Sequence, residues 1–329
     1  MSADLNLLWA ARHLPGQRRV IAAVLDTATR SLWRSRPGGT ARTGRTALAS
    51  PSLPGPELTE QVTAPSAALV RDYLGHLGGG TEAYRRPPTV PPHLFPQWTF
   101  PIGARVLHAL PYPLTRILNA GCRLEVNAPV PASAPLAIRA QLLDVQDDGR
   151  RALLHQRIVT GTPTDPRAVV ADLYAVAPLA PPTRGSRASA HDDDRQVAAT
   201  VPPRARELAR FQFERRAGLA FGLLTGDLNP VHWAGPYARA AGFATPILHG
   251  FAMMAHAYEG LARALFAGAR DAIRVLDVRF KRPLVLGRGR EVGLYQDDTD
   301  ARTFYLADAP GVRPYLIGQF TRNEGDHHA

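Results

Sequence analysis

Residues Thr225–His232 read TGDLNPVH, and Pro246–Gly250 a little further along the chain read PILHG. The first stretch contains a glycine and a proline, and both residue types disfavour the interior of a helix. We therefore expect the backbone to form a loop between Asp227 and His232. A loop allows these two side chains to point into one pocket, which a separation of five positions on a helix does not.

The side chains of Asp227 and His232 are suited to chemistry on water. A carboxylate accepts a proton at neutral pH, and an imidazole with an ordinary pKa near 6.5 gives or accepts one. Together they can hold one water molecule, activate its oxygen and move its proton elsewhere. Asn229 lies between them and offers a donor and an acceptor that can fix the loop or the water. The spacing leaves open which of the two residues is the base.

The stretch His249–Phe266 carries apolar residues at helical spacing and is predicted to be a long buried helix. The first N–H groups of a helix have no partner within it and favour negative charge. Gly250 lies at this end and has no side chain that would block a ligand. Its N–H is therefore a candidate donor to a developing oxyanion.

Together the two stretches resemble the hydratase 2 motif of MaoC-like dehydratases and R-specific enoyl-CoA hydratases. The motif is a small residue and Asp-x-Asn-Pro-x-His, then a Gly-Phe or similar pair and Pro-x-x-His-Gly. The matching residues are Asp227, Asn229, Pro230, His232, Phe243, Pro246, Ile247, His249 and Gly250. The resemblance covers residues 211–321 well and residues 58–180 faintly.

The resemblance implies an α+β hot-dog fold, a curved antiparallel sheet wrapped around a central helix, with two such units in one chain (a double hot-dog). It assigns catalysis to Asp227, His232 and Asn229, and the oxyanion contact to Gly250. The first half lacks the motif, since the corresponding stretch around residues 88–101 has His93 but no Asp-x-Asn-Pro-x-His. That half is expected to support the other one and to shape the acyl pocket.

The implied reaction is the reversible addition of water to a trans-2-enoyl thioester, which gives an (R)-3-hydroxyacyl thioester. Coenzyme A or acyl carrier protein would carry the acyl group as part of the substrate, and neither a cofactor nor a metal is expected. Asp227, His232 and His249 are metal-ligand types, but the water chemistry needs no metal. A non-catalytic acyl-thioester binding protein and a thioesterase are the alternatives. The intact Asp–Asn–His set disfavours a mere binder.

Substrate contacts are expected from residues around the motif. Pro246 and His249 belong to the motif itself, and His249 is interpreted as a residue that orients the loop. Phe251 belongs to the helix core or lines an acyl channel. Three basic residues of a later strand form either a solvated face or a contact site for the phosphates of coenzyme A: Arg279, Lys281 and Arg282.

The predicted domain organisation is a basic extension and linker (1–57), a non-catalytic half (58–180), a linker (181–200), a catalytic half (201–323) and a tail (324–329). A helix is predicted over 65–77, and strands over 123–128, 136–145, 152–160 and 168–177. In the second half strands are predicted over 273–280, 290–297, 302–307 and 313–321. This similarity indicates a duplicated α+β unit that forms a pseudo-dimer within the chain, with a homodimer as an open alternative.

The composition excludes several other classes of protein. The 329 residues carry a net charge of +11, and residues 1–56 contribute +6 of it through eight arginines and two acidic residues. The remaining chain is thus only weakly basic, and nucleic acid is not an expected partner. The single cysteine, Cys122, cannot form an internal disulfide, which favours a reducing compartment such as the cytoplasm. No apolar run reaches the roughly 18 residues of a transmembrane helix.

Residues 5–25 combine loosely helical apolar spacing with arginine. The main interpretation is an extension that packs on the globular body. An organelle transit peptide and a helix in weak peripheral contact with a membrane surface are the alternatives. We further expect that removal of residues 1–50 leaves turnover largely unchanged.

Overall fold

The computed structural model describes residues 10–23, 26, 52–78, 88–108, 110–112, 117–179 and 200–323, and all statements below concern this part of the chain. The predictions for the rest of the N-terminal extension, for residues 181–199 of the linker and for the tail 324–329 lie outside the described residues. No helix in the described part is long and apolar enough to cross a membrane.

The first half of the chain supplies five long strands, two short paired strands and two α-helices. In chain order these are β1 (Leu58–Thr63), α1 (Ala67–His76), β2 (Thr89–Val90), α2 (Pro96–Leu107), β3 (Leu118–Val126), β4 (Val130–Pro131), β5 (Pro135–Asp147), β6 (Arg151–Gly161) and β7 (Val169–Pro178). The predicted helix over 65–77 and the four predicted strands are confirmed. Over Pro135–Leu142 of β5 every second side chain is buried, as in a strand with one face on the core.

The second half repeats this pattern. Its elements are β8 (Arg206–Phe213), α3 (Ala217–Thr225), α4 (Gly235–Ala240), α5 (Gly250–Leu265), β9 (Ile273–Phe280), β10 (Arg290–Gln296), β11 (Thr303–Ala307) and β12 (Leu316–Arg322). The long helix predicted from His249 is confirmed as α5, and the predicted strands are confirmed with small shifts at their ends. In this half the largest shift is at β12, which begins three residues later than predicted, whereas β3 of the first half begins five residues earlier than predicted.

All ten long strands form one sheet in the order β1-β5-β6-β7-β3-β9-β12-β11-β10-β8. Every neighbouring pair in it is antiparallel. Read outward from the β3–β9 pair, both sides list their strands in the same relative chain order. The chain therefore consists of two units of one topology, joined edge to edge at β3 and β9.

The joint between the two units depends on a glycine. Strands β3 and β9 pair from Gly121 opposite Arg279 to Glu125 opposite Val275. A Cβ atom on Gly121 would lie 2.5 Å from the carbonyl oxygen of Val278, closer than real Cβ atoms come. A side chain at this position would push the strands apart, so the continuous sheet requires glycine here.

Helix α2 is an element of the first unit that the sequence did not predict. The proline-rich stretch before it was not predicted to lead into a helix, and Pro101 lies inside the helix itself. Pro96 occupies the first helical position, where a missing N–H costs nothing. Helix α2 packs on β1 and β5, much as α5 packs on β8 and β9. The counterpart of α5 is therefore α2, and not the predicted helix over 65–77.

The largest apolar core extends through both units, and each unit has a smaller one besides. Tyr73 and Phe95 of the first unit and Phe221 and Tyr258 of the second are all at most 2% exposed within the largest core. Helix α1 packs against α3 across the same region. Because the units share this core, neither buries its apolar surface without the other.

A buried polar network also joins the two units. His93 donates from Nε2 to Glu259 on α5 (3.1 Å), and its Nδ1 accepts a hydrogen bond from the hydroxyl of Tyr73 (3.0 Å). Arg270 donates to both carboxylate oxygens of Glu259. Burial alone would raise the pKa of Glu259, but the hydrogen bonds from His93 and Arg270 bring it down to about 2. The carboxylate is therefore ionised and fully partnered inside the protein.

Candidate active site

The loop predicted between Asp227 and His232 is present and is built from short-range hydrogen bonds. Helix α3 ends at Thr225 and is capped by Gly226, whose φ of +86° is a left-handed conformation that favours glycine. The Asp227 carboxylate accepts a hydrogen bond from the N–H of Asn229 (3.3 Å). The Asn229 side chain in turn accepts one from the N–H of Val231 (3.2 Å) and so caps the single 3-10 turn Pro230–His232. Asn229 thus fixes the loop.

The imidazole of His232 is held in one orientation by the backbone. Its Nδ1 lies 2.9 Å from the carbonyl oxygen of Ile247 and donates its proton to it. The unprotonated nitrogen of the neutral ring is then Nε2. The α3 backbone passes directly beneath this residue, since a Cβ atom on Gly218 would lie 2.0 Å from the His232 carbonyl oxygen. A fixed imidazole with one available lone pair is what a general base needs.

His249 lies next to His232 at the start of α5. The two rings stack with their centroids 3.6 Å apart and their planes inclined by 25°. Nε2 of His249 donates to the backbone carbonyl of Asp227 (3.0 Å) and lies 3.8 Å from the Asp227 carboxylate. His249 therefore connects the loop to α5, which agrees with its interpretation as an orienting residue.

Both histidines are neutral near pH 7. Burial lowers the pKa of His232, although the Asp227 carboxylate and the Ile247 carbonyl act in the opposite direction. Burial, and then the neighbouring His232, lowers the pKa of His249 to about 3. A positive charge on either ring would have to be formed in a desolvated place beside the other ring.

Asp227, His232 and His249 are also spaced as a metal-binding group could be, since their possible ligand atoms all lie within 4.8 Å of one another. Their geometry fits a metal poorly. An imidazole lone pair lies in the plane of its ring, so two rings stacked nearly parallel do not aim at one common ion. One nitrogen of each ring is moreover engaged with a backbone carbonyl.

Gly250 is the first residue of α5, directly after His249 at the N-cap. A Cβ atom on Gly250 would lie 3.1 Å from the ring of Phe280, so the helix start is closely packed on β9. The N–H groups in the first turn of a helix have no carbonyl partner within it. The helix start therefore offers donors to a negatively charged atom in the adjacent space.

A small cavity of about 260 Å³, measured out to open solvent, adjoins Asp227. Its walls come from three parts of the chain, and the lining residues are Val20, Pro96, Phe100, Phe221, Thr225, Asp227 and Phe251. Phe251 was predicted as a lining residue. Val20, Pro96 and Phe100 were not, because no local pattern in the sequence links them to the motif.

The predicted phosphate contacts are engaged with other side chains of the protein. Arg279 contacts the Asp277 carboxylate, and its guanidinium lies 4.4 Å from the centre of the Tyr174 ring. Arg282 donates to Asp308 (2.9 Å) and stacks over Tyr315 at 3.7 Å. Both guanidinium groups therefore have carboxylate and aromatic partners within the protein.

The remaining predicted contact residues lie in different places. The backbone N–H of Lys281 bonds to the Tyr315 carbonyl, which continues the pairing of β9 with the chain just before β12. Pro246 is buried, and its carbonyl accepts a hydrogen bond from the N–H of Leu286 (2.8 Å). Pro246 thereby holds the chain that leads into α5 and does not line the cavity beside Asp227.

Comparison with known proteins agrees with this arrangement. Residues 198–294 match the family model described as "MaoC like domain". The HtdX protein of Mycobacterium tuberculosis superposes with a TM-score of 0.60 at 19% identity, over 81% of this chain and all of that one. Another M. tuberculosis protein, whose structure is described as a double hotdog fold, superposes with a TM-score of 0.52 at 15% identity, over 82% of this chain and 96% of that one. The chain has a double hot-dog fold, as the resemblance implied.

Two curated relatives extend the comparison. Enoyl-CoA hydratase ChsH3 of M. tuberculosis is 27% identical over 191 residues, which are 56% of this chain and 62% of that enzyme. 3-Hydroxyacyl-thioester dehydratase Y of the same organism is 26% identical over 192 residues, 57% of this chain and 64% of that enzyme. The matches thus span somewhat less than two thirds of each relative. The family match, residues 198–294, falls within the second unit of this double hot-dog protein.

Proposed function

We propose that this protein adds water reversibly to trans-2-enoyl thioesters and so forms (R)-3-hydroxyacyl thioesters. The observation that carries the proposal is the convergence of Asp227 and His232, whose polar side-chain atoms lie within 4.8 Å of each other. Asp227 lies on the wall of a mostly apolar cavity, and Nδ1 of His232 is bonded to the Ile247 carbonyl. The match of residues 198–294 to the MaoC like domain, and the hydratase and dehydratase named among the relatives, support the same reaction.

In the proposed mechanism Asp227 and His232 hold one water molecule beside C3 of the substrate. As the water oxygen forms its bond to C3, one of the pair accepts the proton that the water loses. The electrons of the C2=C3 bond move to the thioester oxygen, and a proton is then delivered to C2 as the enolate collapses. The lone pair on Nε2 of neutral His232 is suited to accept the proton, because burial keeps the ring uncharged.

The N–H of Gly250 is proposed to bind the thioester oxygen while negative charge develops on it. Helix α5 begins at this residue, so its unpartnered N–H groups and its dipole both favour an oxyanion there. Removal of one such donor typically costs about 2.7–4 kcal/mol of barrier stabilisation.

The first unit is proposed to shape the acyl pocket without taking part in the chemistry. It contributes Pro96 and Phe100 to the cavity. Its His93 is fully buried, bonded to Tyr73 and Glu259, and so is engaged in the network between the units. The two units would then work as a pseudo-dimer in which residues 201–323 supply the acid–base groups of the reaction.

The substrate is proposed to be a coenzyme A or acyl carrier protein thioester, with no separate cofactor. The described contacts of Arg279 and Arg282 give no preference between the two carriers. Cys122 is fully buried, and burial raises the pKa of its thiol, so it is an inert core residue. A single inert cysteine is in keeping with a cytoplasmic enzyme.

Crotonyl-CoA tests the proposal directly. Hydration removes the absorbance of the conjugated enoyl thioester, whereas thioester hydrolysis releases a thiol that a chromogenic disulfide detects. We expect loss of enoyl absorbance without thiol release. Thiol release would identify a thioesterase, and binding without either change would identify an acyl-thioester binding protein. Either result would contradict the proposal.

A further inference from the structure

Residues 10–23 of the N-terminal extension are held against the globular body by contacts with both units. The side-chain amide of Gln17 is fully buried and donates to the carbonyl of Leu223 in α3 (2.7 Å). Arg12 and His13 contact the buried carboxylate of Asp72 on α1, and the Nε of Arg12 lies 3.1 Å from it. Residues 10–23 therefore pack on the body, as the first of the interpretations given above expects for this part of the extension.

The same segment touches the catalytic loop at Gly226. A Cβ atom on Gly226 would lie 2.7 Å from both the Gln17 amide oxygen and the Cβ of Val20. Glycine is thus required here for two reasons, since its φ is positive and the N-terminal segment needs the space that a side chain would fill. The contact is made one residue before Asp227.

Val20 completes the cavity beside Asp227. It is 2% exposed and lies on the cavity wall with Pro96 and Phe100 of the first unit and Phe251 of the second. The volume of about 260 Å³ includes space open to solvent, so the enclosed part is smaller still than the roughly 300–1,000 Å³ of pockets that enclose drug-sized ligands. With Val20 in place, the enclosed space beside Asp227 is small, so the size of residue 20 limits what this space can hold.

We infer that the N-terminal segment closes the acyl pocket and that Val20 sets the length of the acyl chain that the pocket accepts. The inference rests on the proposed function, because it takes the cavity beside Asp227 to be the place of the acyl group. It replaces the expectation that the extension is dispensable for turnover. The hydrogen bond from the Gln17 side-chain amide to the Leu223 carbonyl positions the segment, and the side chain of Val20 makes the contact with the acyl chain.

Substitutions that change only the size of residue 20 test the inference. Val20→Ala opens the wall and Val20→Phe fills the space, while Arg18→Ala changes an exposed residue of the same segment and serves as the matched control. The measured quantity is kcat/KM for trans-2-enoyl-CoA esters of increasing length, each divided by the value for crotonyl-CoA.

One methylene in an apolar pocket is worth about 10–200-fold in discrimination. We expect Val20→Ala to raise the ratios for longer chains at least tenfold, Val20→Phe to lower them, and Arg18→Ala to leave them unchanged.

A second measurement separates this inference from the proposed function. Saturated acyl-CoA esters cannot be hydrated, so their dissociation constants follow chain length without any turnover. If the wild-type protein hydrates no enoyl-CoA, the proposed function fails, but a chain-length preference in binding that shifts with residue 20 still supports the inference. The inference about Val20 is overturned if folded Val20→Ala and Val20→Phe proteins keep the wild-type preference for acyl-chain length, or if the protein binds no acyl-CoA. Val20→Ile, which adds one methylene, replaces Val20→Phe if that protein does not fold.

Discussion

The imidazole rings of His232 and His249 stack 3.6 Å apart, and each ring donates a proton to a backbone carbonyl, of Ile247 and of Asp227 respectively. This arrangement ties the loop that carries Asp227 to the first turn of α5. It also places two titratable rings where neither is easily charged, because the site is desolvated and the rings are adjacent. The pair thereby fixes both the geometry and the protonation state of the candidate base.

Substitution of either proposed acid–base residue is expected to stop hydration and leave the fold intact. Asp227→Asn and His232→Gln each remove one proton-transfer group, and such groups contribute about 10²–10⁴-fold to rates. Crotonyl-CoA hydration measures the loss, and circular dichroism checks the fold. Asp298→Asn changes an exposed aspartate and is expected to be fully active. Near wild-type turnover in both site variants would show that the assignment is wrong.

The acid limb of the pH–rate profile is expected to lie below 6.5. Neutral His232 is the reactive form in the proposed mechanism, and burial lowers its pKa. As the pH falls through this lowered pKa the ring gains a proton and kcat/KM decreases, whereas between that value and pH 7 the rate stays level. Profiles of kcat/KM with crotonyl-CoA provide the measurement. A limb centred above pH 6.5 would mean that His232 is not the base, or that it is not desolvated.

The folded protein is expected to lose stability as the pH falls from about 6.5 toward about 3. The pKa of His249 is lowered to about 3 in the folded state, so the unfolded chain binds more protons within this window. The free energy of unfolding then decreases with falling pH, by up to about 1.4 kcal/mol per pH unit for one such group. Urea unfolding at several pH values measures this slope. His249→Gln is expected to make it shallower, and an unchanged slope would contradict the lowered pKa.

A methyl group at Gly218 is expected to displace the loop that carries His232. In Gly218→Ala the added Cβ would meet the His232 carbonyl at 2.0 Å, so the loop must move, and overpacking of this kind costs about 1–3 kcal/mol. Gly75→Ala is the matched control, because Gly75 also lies in a helix and a Cβ there has nothing within 4 Å. We expect Gly75→Ala to be active and up to about 1 kcal/mol more stable. Equal behaviour of the two variants in hydration assays and urea unfolding would refute the close contact.

Removal of the carboxylate that joins the two units is expected to be strongly destabilising. Glu259→Gln leaves Arg270 and His93 without their buried partner, and breaking a buried ion pair costs about 3–5 kcal/mol. Glu291→Gln changes an exposed glutamate and should alter stability little. Urea unfolding of the two variants measures the difference. A small effect of Glu259→Gln would show that the network contributes little to holding the units together.

The sequence predicted the loop and the helix that follows it, because their signals are local. Gly226 and Pro230 exclude a continuous helix, and the apolar spacing after His249 requires one. The helix α2 was missed because proline is read as a helix breaker, whereas Pro96 occupies the one turn that tolerates it. Such exceptions are decided by position within an element, which composition does not reveal.

The parts of the site that the sequence did not predict depend on contacts between distant residues. Gln17 bonds to Leu223 across 206 positions, and no pattern near either residue indicates the other. The basic run at residues 279–282 could be seen, but its partners lie elsewhere in the chain, Tyr174 in β7 and Asp308 directly after β11. Tertiary packing alone determines whether an arginine is available to a ligand or already engaged.

Pro96 and Phe100 line the cavity from a unit that is proposed to hold no acid–base group. Selection can therefore alter which molecules fit by changing one unit while the reactive groups in the other are left untouched. In the proposed function, substitutions in the first unit can therefore change the range of acyl groups that the cavity accepts, while the acid–base residues of the second unit stay the same.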